Sequence, residues 1–316
     1  WSQVYGGKKD DYGWGVTETF DGGYVIVGET FSFGNGQSDI YLFKVDSLGH
    51  KIWDNTFGGI AEDVGYSIAN ADDGGFVVAS QTRSYGKGGS DGMLVKFDQN
   101  GEKEWEKVYG GKGLDYFRSI IKDSTKGFVV SGGTRSFSNG DSQAWLISVD
   151  ENGFIIWENT YGDNKEDGFD MVKQTKTNGY IAVGHSSSFF SSGSNDVFLT
   201  RIDSLGKKIW QKYHGGKNDD RGYAISQCSD GGYIIAGETA SYGKGKNDIL
   251  VIKTNSIGDK NWMSTFGGNG VDIGRSIKEL PRGGFIITGT STISNLSFDA
   301  IMIKTNEKGE SGNYSR

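Results

Sequence analysis

The chain has 316 residues, of which 35% are hydrophobic and 13% aromatic, with 52 glycines against one proline and a formal net charge of −7. Acids and bases are interspersed without a basic stripe, which excludes a nucleic-acid binder working through the phosphate backbone. No run of eighteen apolar residues is present to cross a membrane as a helix, and the one cysteine, Cys228, rules out an internal disulfide framework.

The chain opens on "WSQVYGG", a lone strand-like segment beginning at Trp1, with no initiator Met, as a form trimmed after export would show. Its words return at a fixed interval. Tryptophans recur at Trp1, Trp53, Trp105, Trp157, Trp210 and Trp262, with spacings of 52, 52, 52, 53 and 52. Four residues after each stands an aromatic-Gly pair: Tyr5-Gly6, Phe57-Gly58, Tyr109-Gly110, Tyr161-Gly162 and Phe266-Gly267, with His214-Gly215 as the one variant. Ten residues after each tryptophan comes an aspartate: Asp11, Asp63, Asp115, Asp167, Asp220 or Asp272.

Within a repeat, phrases such as "GGYVIVGET" and "GGFVVASQT" are β-branched, aromatic and of period two, so they predict strands. The second repeat predicts four: Tyr66 to Ala71, Phe76 to Thr82, Gly92 to Phe97 and Lys103 to Tyr109. "DDGG" joins the first two. Asp98 to Gly101 joins the last two, with Asp or Asn first and Gly fourth as a type I turn requires.

Strand residues such as Ile40 and Leu42 on one face, and Tyr41, Phe43 and Val45 on the other, make both faces of such a sheet apolar. Each sheet must therefore lie between copies of itself. Six copies of four antiparallel strands predict an all-β, six-bladed β-propeller forming one domain over 1–316, with repeats starting near 1, 53, 105, 157, 210 and 262. The last repeat has a third strand in "DAIMIKTN" from Asp299 but no following tryptophan. The N-terminal strand, Trp1 to Tyr5, is expected to complete that last blade and close the fold.

The pattern of "FGGIAEDVGYSIANADDGGFVV" and "DGMLVKFDQNG" resembles the SBBP-type β-propeller repeat of bacterial and archaeal proteins, over essentially the whole chain. That resemblance implies a secreted or cell-surface protein and carries a fold rather than an assigned activity. The family name refers to seven blades, where six are counted here. Kelch repeats are the second resemblance, but their glycine doublet follows a strand, whereas Gly22-Gly23 and Gly74-Gly75 precede one.

Residues present in every repeat are expected to hold the scaffold. The six aspartates are read as acceptors for loop N–H groups, with a calcium-binding ring of carboxylates as the alternative, and the tryptophans as packing between blades. A second acid series, Asp39, Asp91, Asp196, Asp248 and Asp299, is interrupted by Gln143 and also reads as a loop brace. No metal set emerges from His50, His185 and His214, which fall at different repeat positions, so no metal or cofactor is assigned. There is no G-x-S-x-G elbow and no sialidase-type Asp box.

Function is expected where the repeat varies. At the start of the innermost strand stand Trp14, Tyr66, Arg118, Asp170, Tyr223 and Arg275; just past the second strand stand Glu29, Gln81, Gly133, His185, Glu238 and Thr290. Arginines, aspartate and aromatics suit a sugar or small carboxylate. The expected ligand-binding residues are Trp14, Tyr66, Arg118, Asp170, Tyr223 and Arg275, with Glu29, His185 and Glu238 at the edge. The expectation is a monomeric, exported binding module for a carbohydrate, small carboxylate or protein partner at the channel face. The alternatives are a hydrolase or lyase at that mouth and a structural spacer in a larger surface protein.

Overall fold

The structure, a computed structural model, describes residues 1–312 apart from 126, 139–140, 164, 188–193 and 295–296. Among these residues every regular element is a strand. The first sheet orders β1 (Asp11–Glu18), β2 (Tyr24–Thr30), β3 (Asp39–Val45) and β4 (Lys51–Phe57). The second repeats this with β5 (Asp63–Asn70), β6 (Phe76–Thr82), β7 (Asp91–Phe97) and β8 (Lys103–Tyr109). The third has β9 (Asp115–Asp123), β10 (Gly127–Thr134), β11 (Gln143–Val149) and β12 (Ile155–Tyr161). Next come β13 (Asp167–Gln174), β14 (Tyr180–Ser186), β15 (Asp196–Ile202) and β16 (Lys208–His214), then β17 (Asp220–Gln227), β18 (Tyr233–Thr239), β19 (Asp248–Thr254) and β20 (Lys260–Phe266). The sixth sheet holds β21 (Asp272–Glu279), β22 (Phe285–Ser294) and β23 (Ser297–Thr305). All ladders are antiparallel meanders, and the fold is that of a six-bladed β-propeller.

The chain divides into two compact units, Trp1–Thr160 and Tyr161–Arg316. Each packs its sheets face to face as the two-sided apolar pattern demands. In the first unit, Val27 and Leu42 of one sheet meet Ile68, Val78 and Val95 of the next. Val77 and Leu94 in turn meet Phe117, Trp145 and Ile147. In the second, Val183 and Leu199 meet Ile235 and Ile252, while Ile234 and Val251 meet Ile287 and Ile303. Each such side chain, fully buried, stabilises by about 1.5–3 kcal/mol.

The outer turns follow their sequence. Gly49 N donates to Asp46 O at 3.0 Å with the Gly49 φ at +82°, and the Asp46 carboxylate accepts from Leu48 N and His50 N. The repeated tryptophans lie against these turns. Trp53 lies over Gly101, Trp105 over Gly153 and Trp210 over Gly258, each too close for a Cβ at the glycine.

The closing strand differs from the expectation. Residues 1–10 form no strand, and the sixth sheet has three strands among the described residues. The N-terminal segment instead keeps only the side-chain half of a fourth strand. Trp1 lies over Gly49 and donates from Nε1 to Ser47 O at 2.9 Å, and the Tyr5 hydroxyl donates to Gly49 O at 2.6 Å. These contacts and the ring of Phe43 against Tyr5 hold the segment without a ladder. Val4 is 97% exposed and adds no burial to these contacts.

Candidate functional site

In each of the six first strands one residue has no partner across the ladder. Pairing runs from Gly13–Gly28 to Gly15–Val27, leaving Trp14 out, and the same step leaves out Tyr66 and Arg118. In the second unit it leaves out Asp170, Tyr223 and Arg275. These are the six variable positions singled out in the sequence. A bulge adds one residue to one strand, bends it and re-aims a side chain. In five sheets a glycine on the second strand lies close against the backbone just before the bulge: a Cβ on Gly28 would lie 1.7 Å from Tyr12 O, and Gly132, Gly184, Gly237 and Gly289 are as tightly crossed. The second sheet has Ser80 at that place.

In the first unit the bulge residues form a chain of rings. Tyr12 stacks on Trp14 at 6.0 Å between centroids, and Trp14 lies 6.0 Å from Tyr66. The Arg118 guanidinium sits over the Tyr66 ring at 3.9 Å and near the Tyr116 ring at 5.0 Å. Tyr12 and Trp14 are 47% and 49% exposed, whereas Tyr66, Tyr116 and Arg118 are half-buried. Glu29 is half-buried on β2, paired with Tyr12 across the ladder.

In the second unit the same positions make a hydrogen-bonded cluster. His185 Nδ1 lies 3.4 Å from an Asp170 carboxylate oxygen. The Tyr223 hydroxyl donates to Glu238 at 2.5 Å, and Asn247 donates to the other Glu238 oxygen at 2.9 Å. The exposed Arg275 guanidinium lies 4.7 Å from the Tyr223 ring centroid. Burial, then the hydrogen bond to Glu238 and the charges of Glu238 and Asp170, raise the Tyr223 phenol well above its ordinary range. It stays protonated and donates.

The sequence pattern does not single out Tyr12, Tyr116 or Asn247. The two tyrosines stand two residues before a bulge position, on the same face by the strand period. Asn247 comes from the loop before β19, and nothing local to it marks the contact.

The six repeated aspartates brace loops in this geometry. Oδ2 of Asp11, Asp63, Asp115, Asp167, Asp220 and Asp272 each accepts the backbone N–H four residues earlier, at 2.7–3.0 Å. For Asp11 burial works the other way, yet hydrogen bonds from Thr30, Gly7 and Ser32 hold its carboxyl below the usual range. In the second series, Asp39, Asp91 and Asp248 each accept two loop N–H groups through Oδ2. Asp196 is fully buried and has no hydrogen-bond partner among the described residues. Burial first, then the charges of Asp220 and Asp219, push its carboxyl up to about 7.

His214 stands in the aromatic place and does what its tyrosine counterparts do, with Nε2 3.0 Å from Gly258 O, and burial lowers its imidazole. No group of three or more His, Cys, Asp or Glu placed to hold a metal occurs among the described residues, and no helix there is long and apolar enough to cross a membrane.

No known protein family's sequence profile matches the chain. It is 26% identical over 134 residues to the regulatory protein FlaEY of Caulobacter vibrioides, a stretch covering 38% of this chain and 14% of that protein. Among solved structures, it is similar to the Neurospora crassa Pan2 WD40 domain, with a TM-score of 0.54, 10% identity, and coverage of 92% of this chain and 78% of that one. It is also similar to an alpha-L-arabinofuranosidase from Fusarium graminearum in complex with an iminosugar inhibitor, with a TM-score of 0.52, 10% identity and 92% of each chain covered. At such identity these likenesses establish the propeller fold alone.

Proposed function

We propose that this chain is an exported or cell-surface propeller module of the SBBP type that binds a carbohydrate on its bulge residues. The observation that carries the reading is the coincidence of two independent patterns. The positions where the repeat varies in sequence are the positions where each first strand bulges. Within each unit, a scaffold that repeats its bulge while changing the side chain it presents has a face available for an asymmetric ligand. In the first unit that face is an exposed Tyr12–Trp14 stack continued by Tyr66, suited to the apolar faces of sugar rings. In the second unit the fixed Tyr223–Glu238–Asn247 and Asp170–His185 contacts supply donors and acceptors for hydroxyls.

Glycan-array screening followed by calorimetric titration tests this. Binding of at most one glycan per chain, weakened in Trp14→Ala without a change in melting temperature, is the expected result. No glycan binding, or six equivalent sites, overturns it. A second reading, hydrolysis, rests on the pairing of Asp170 with His185 and of Glu238 with Tyr223. It predicts release of reducing ends from a bound glycan, abolished in Glu238→Gln.

A further inference from the structure

Among the described basic residues of its unit that are buried or half-buried, Arg118 and Lys107 lie over rings, Lys107 over Phe154 at 3.3 Å, while the others are ion-paired. Lys44 is paired with Asp21, Lys96 with Asp73 and Glu104, and Lys122 with Asp72 and Glu151. Arg118 has no ion pair or hydrogen bond among the described residues. Its contacts are with two π faces, Tyr66 at 3.9 Å and Tyr116 at 5.0 Å. Rings attract the cation but accept none of its five N–H donors. The group is thus held in place with its hydrogen-bonding capacity unspent.

The place is prepared by a glycine. At the position on the second strand where other sheets carry Glu29, Gln81, His185, Glu238 or Thr290, the third sheet has Gly133, paired with Tyr116. A Cβ there would lie 2.6 Å from the Tyr116 hydroxyl and 2.7 Å from its Cζ. The absent side chain is what allows the Tyr116 ring to lie across the strand beside Arg118. It also removes from the third sheet the acid that Glu29 and Glu238 supply elsewhere, so no neighbour on that strand neutralises the guanidinium.

We propose that Arg118 recognises a carboxylate on the saccharide, so that the ligand is a uronic-acid oligosaccharide whose neighbouring ring stacks on Trp14 and Tyr12. This rests on the carbohydrate reading above and narrows it. A planar guanidinium fixed by rings presents an edge that matches a carboxylate with two parallel N–H···O bonds, which a hydroxyl does not. The chain's overall charge of −7 repels an acidic ligand at long range. The attraction is therefore local to Arg118, and selectivity appears in the bound state.

The test titrates the whole chain with tetramers of galacturonate, glucuronate and mannuronate, and with the same tetramers after carboxyl reduction to neutral hexosides. The expected result is that one acidic series binds at least tenfold tighter than its reduced form, that Arg118→Gln removes this preference, and that Arg118→Lys keeps only a minor part of it. Gly133→Thr, which displaces Tyr116 without touching the charge, lowers the preference severalfold, and Trp14→Ala weakens acidic and neutral tetramers alike. Equal binding of acidic and reduced tetramers, or a preference unchanged in Arg118→Gln, overturns this inference and leaves the carbohydrate reading standing. Absence of binding to every tetramer, together with an array blank for other glycans, overturns both.

Discussion

The two units share one scaffold and one cation-over-tyrosine contact, and differ in what surrounds it. At the same bulge, residues 1–160 offer Trp14, Tyr66 and Arg118, a surface of rings ending in a cation without an acceptor. Residues 161–316 offer Asp170, Tyr223 and Arg275, where Tyr223 is already engaged with Glu238 and Asp170 with His185. The difference comes from the second strand. Where it carries Glu238 or His185, the bulge side chain finds a partner beside it; where it carries Gly133 or Thr290, the bulge arginine lies against the tyrosine of the preceding sheet instead. A repeat fold can thus change the surroundings of one side chain by altering the residue that faces it on the neighbouring strand.

If the two cores are equivalent and only the rims differ, matched core changes should cost the same. Trp145→Ala in the first unit and Phe198→Ala at the matching position in the second each remove a fully buried ring. Each is expected to cost about 3–5 kcal/mol in denaturant unfolding. A loss below about 1 kcal/mol at either one would break the equivalence.

Asp196 marks a second contrast. Its carboxyl is pushed from 3.8 up to about 7, so between those values the folded protein keeps a proton that the unfolded chain has released. Stability contributed at this site therefore falls as pH rises from about 4 to about 7 and stays low above. Asp196→Asn should remove the fall and gain up to about 4 kcal/mol above pH 7, each pKa unit being about 1.4 kcal/mol. Below about pH 4 it should gain nothing. At Asp39 burial also raises the carboxyl, but hydrogen bonds from Asn35 N and Gly36 N oppose it, so the same change there should bring a smaller gain. Thermal melts from about pH 4 to about pH 8 distinguish the two, and a pH-independent effect of Asp196→Asn would discard the assignment.

The brace common to both units gives a smaller effect. Asp63→Ala leaves Gly59 N and Ser84 Oγ without their acceptor and should lower stability by about 1–3 kcal/mol. The wild-type melting temperature should be unmoved by a chelator; a large drop would instead mean that these carboxylates hold a cation. Smallest is Tyr223→Phe. Losing one hydrogen bond while Asn247 still serves Glu238 should cost about 1 kcal/mol. No counterpart loss is expected from Tyr66→Phe, because the contact that Tyr66 makes with Arg118 is through its ring.

The sequence by itself determines the six sheets. Tryptophan spacing and period-two strands specify them, because a two-sided apolar strand has nowhere to bury its second face except against a copy. The variable positions are legible too, since a regular repeat exposes its own exceptions: Trp14, Tyr66, Arg118, Asp170, Tyr223 and Arg275 all stand at the bulge. The bulge itself is not, because it is a mismatch between two strands and neither strand encodes it alone. Nor are the partnerships. Whether Arg118 meets a carboxylate or a ring depends on Tyr66 from the preceding sheet and on the space above Gly133, which are brought together only when the sheets pack. The N-terminal segment shows the same division. Its Trp1 and Tyr5 find the kind of turn that their repeat prescribes, through side-chain contacts that the repeat spells out, while the ladder expected of it needs a distant edge that no residue in "WSQVYGG" can specify.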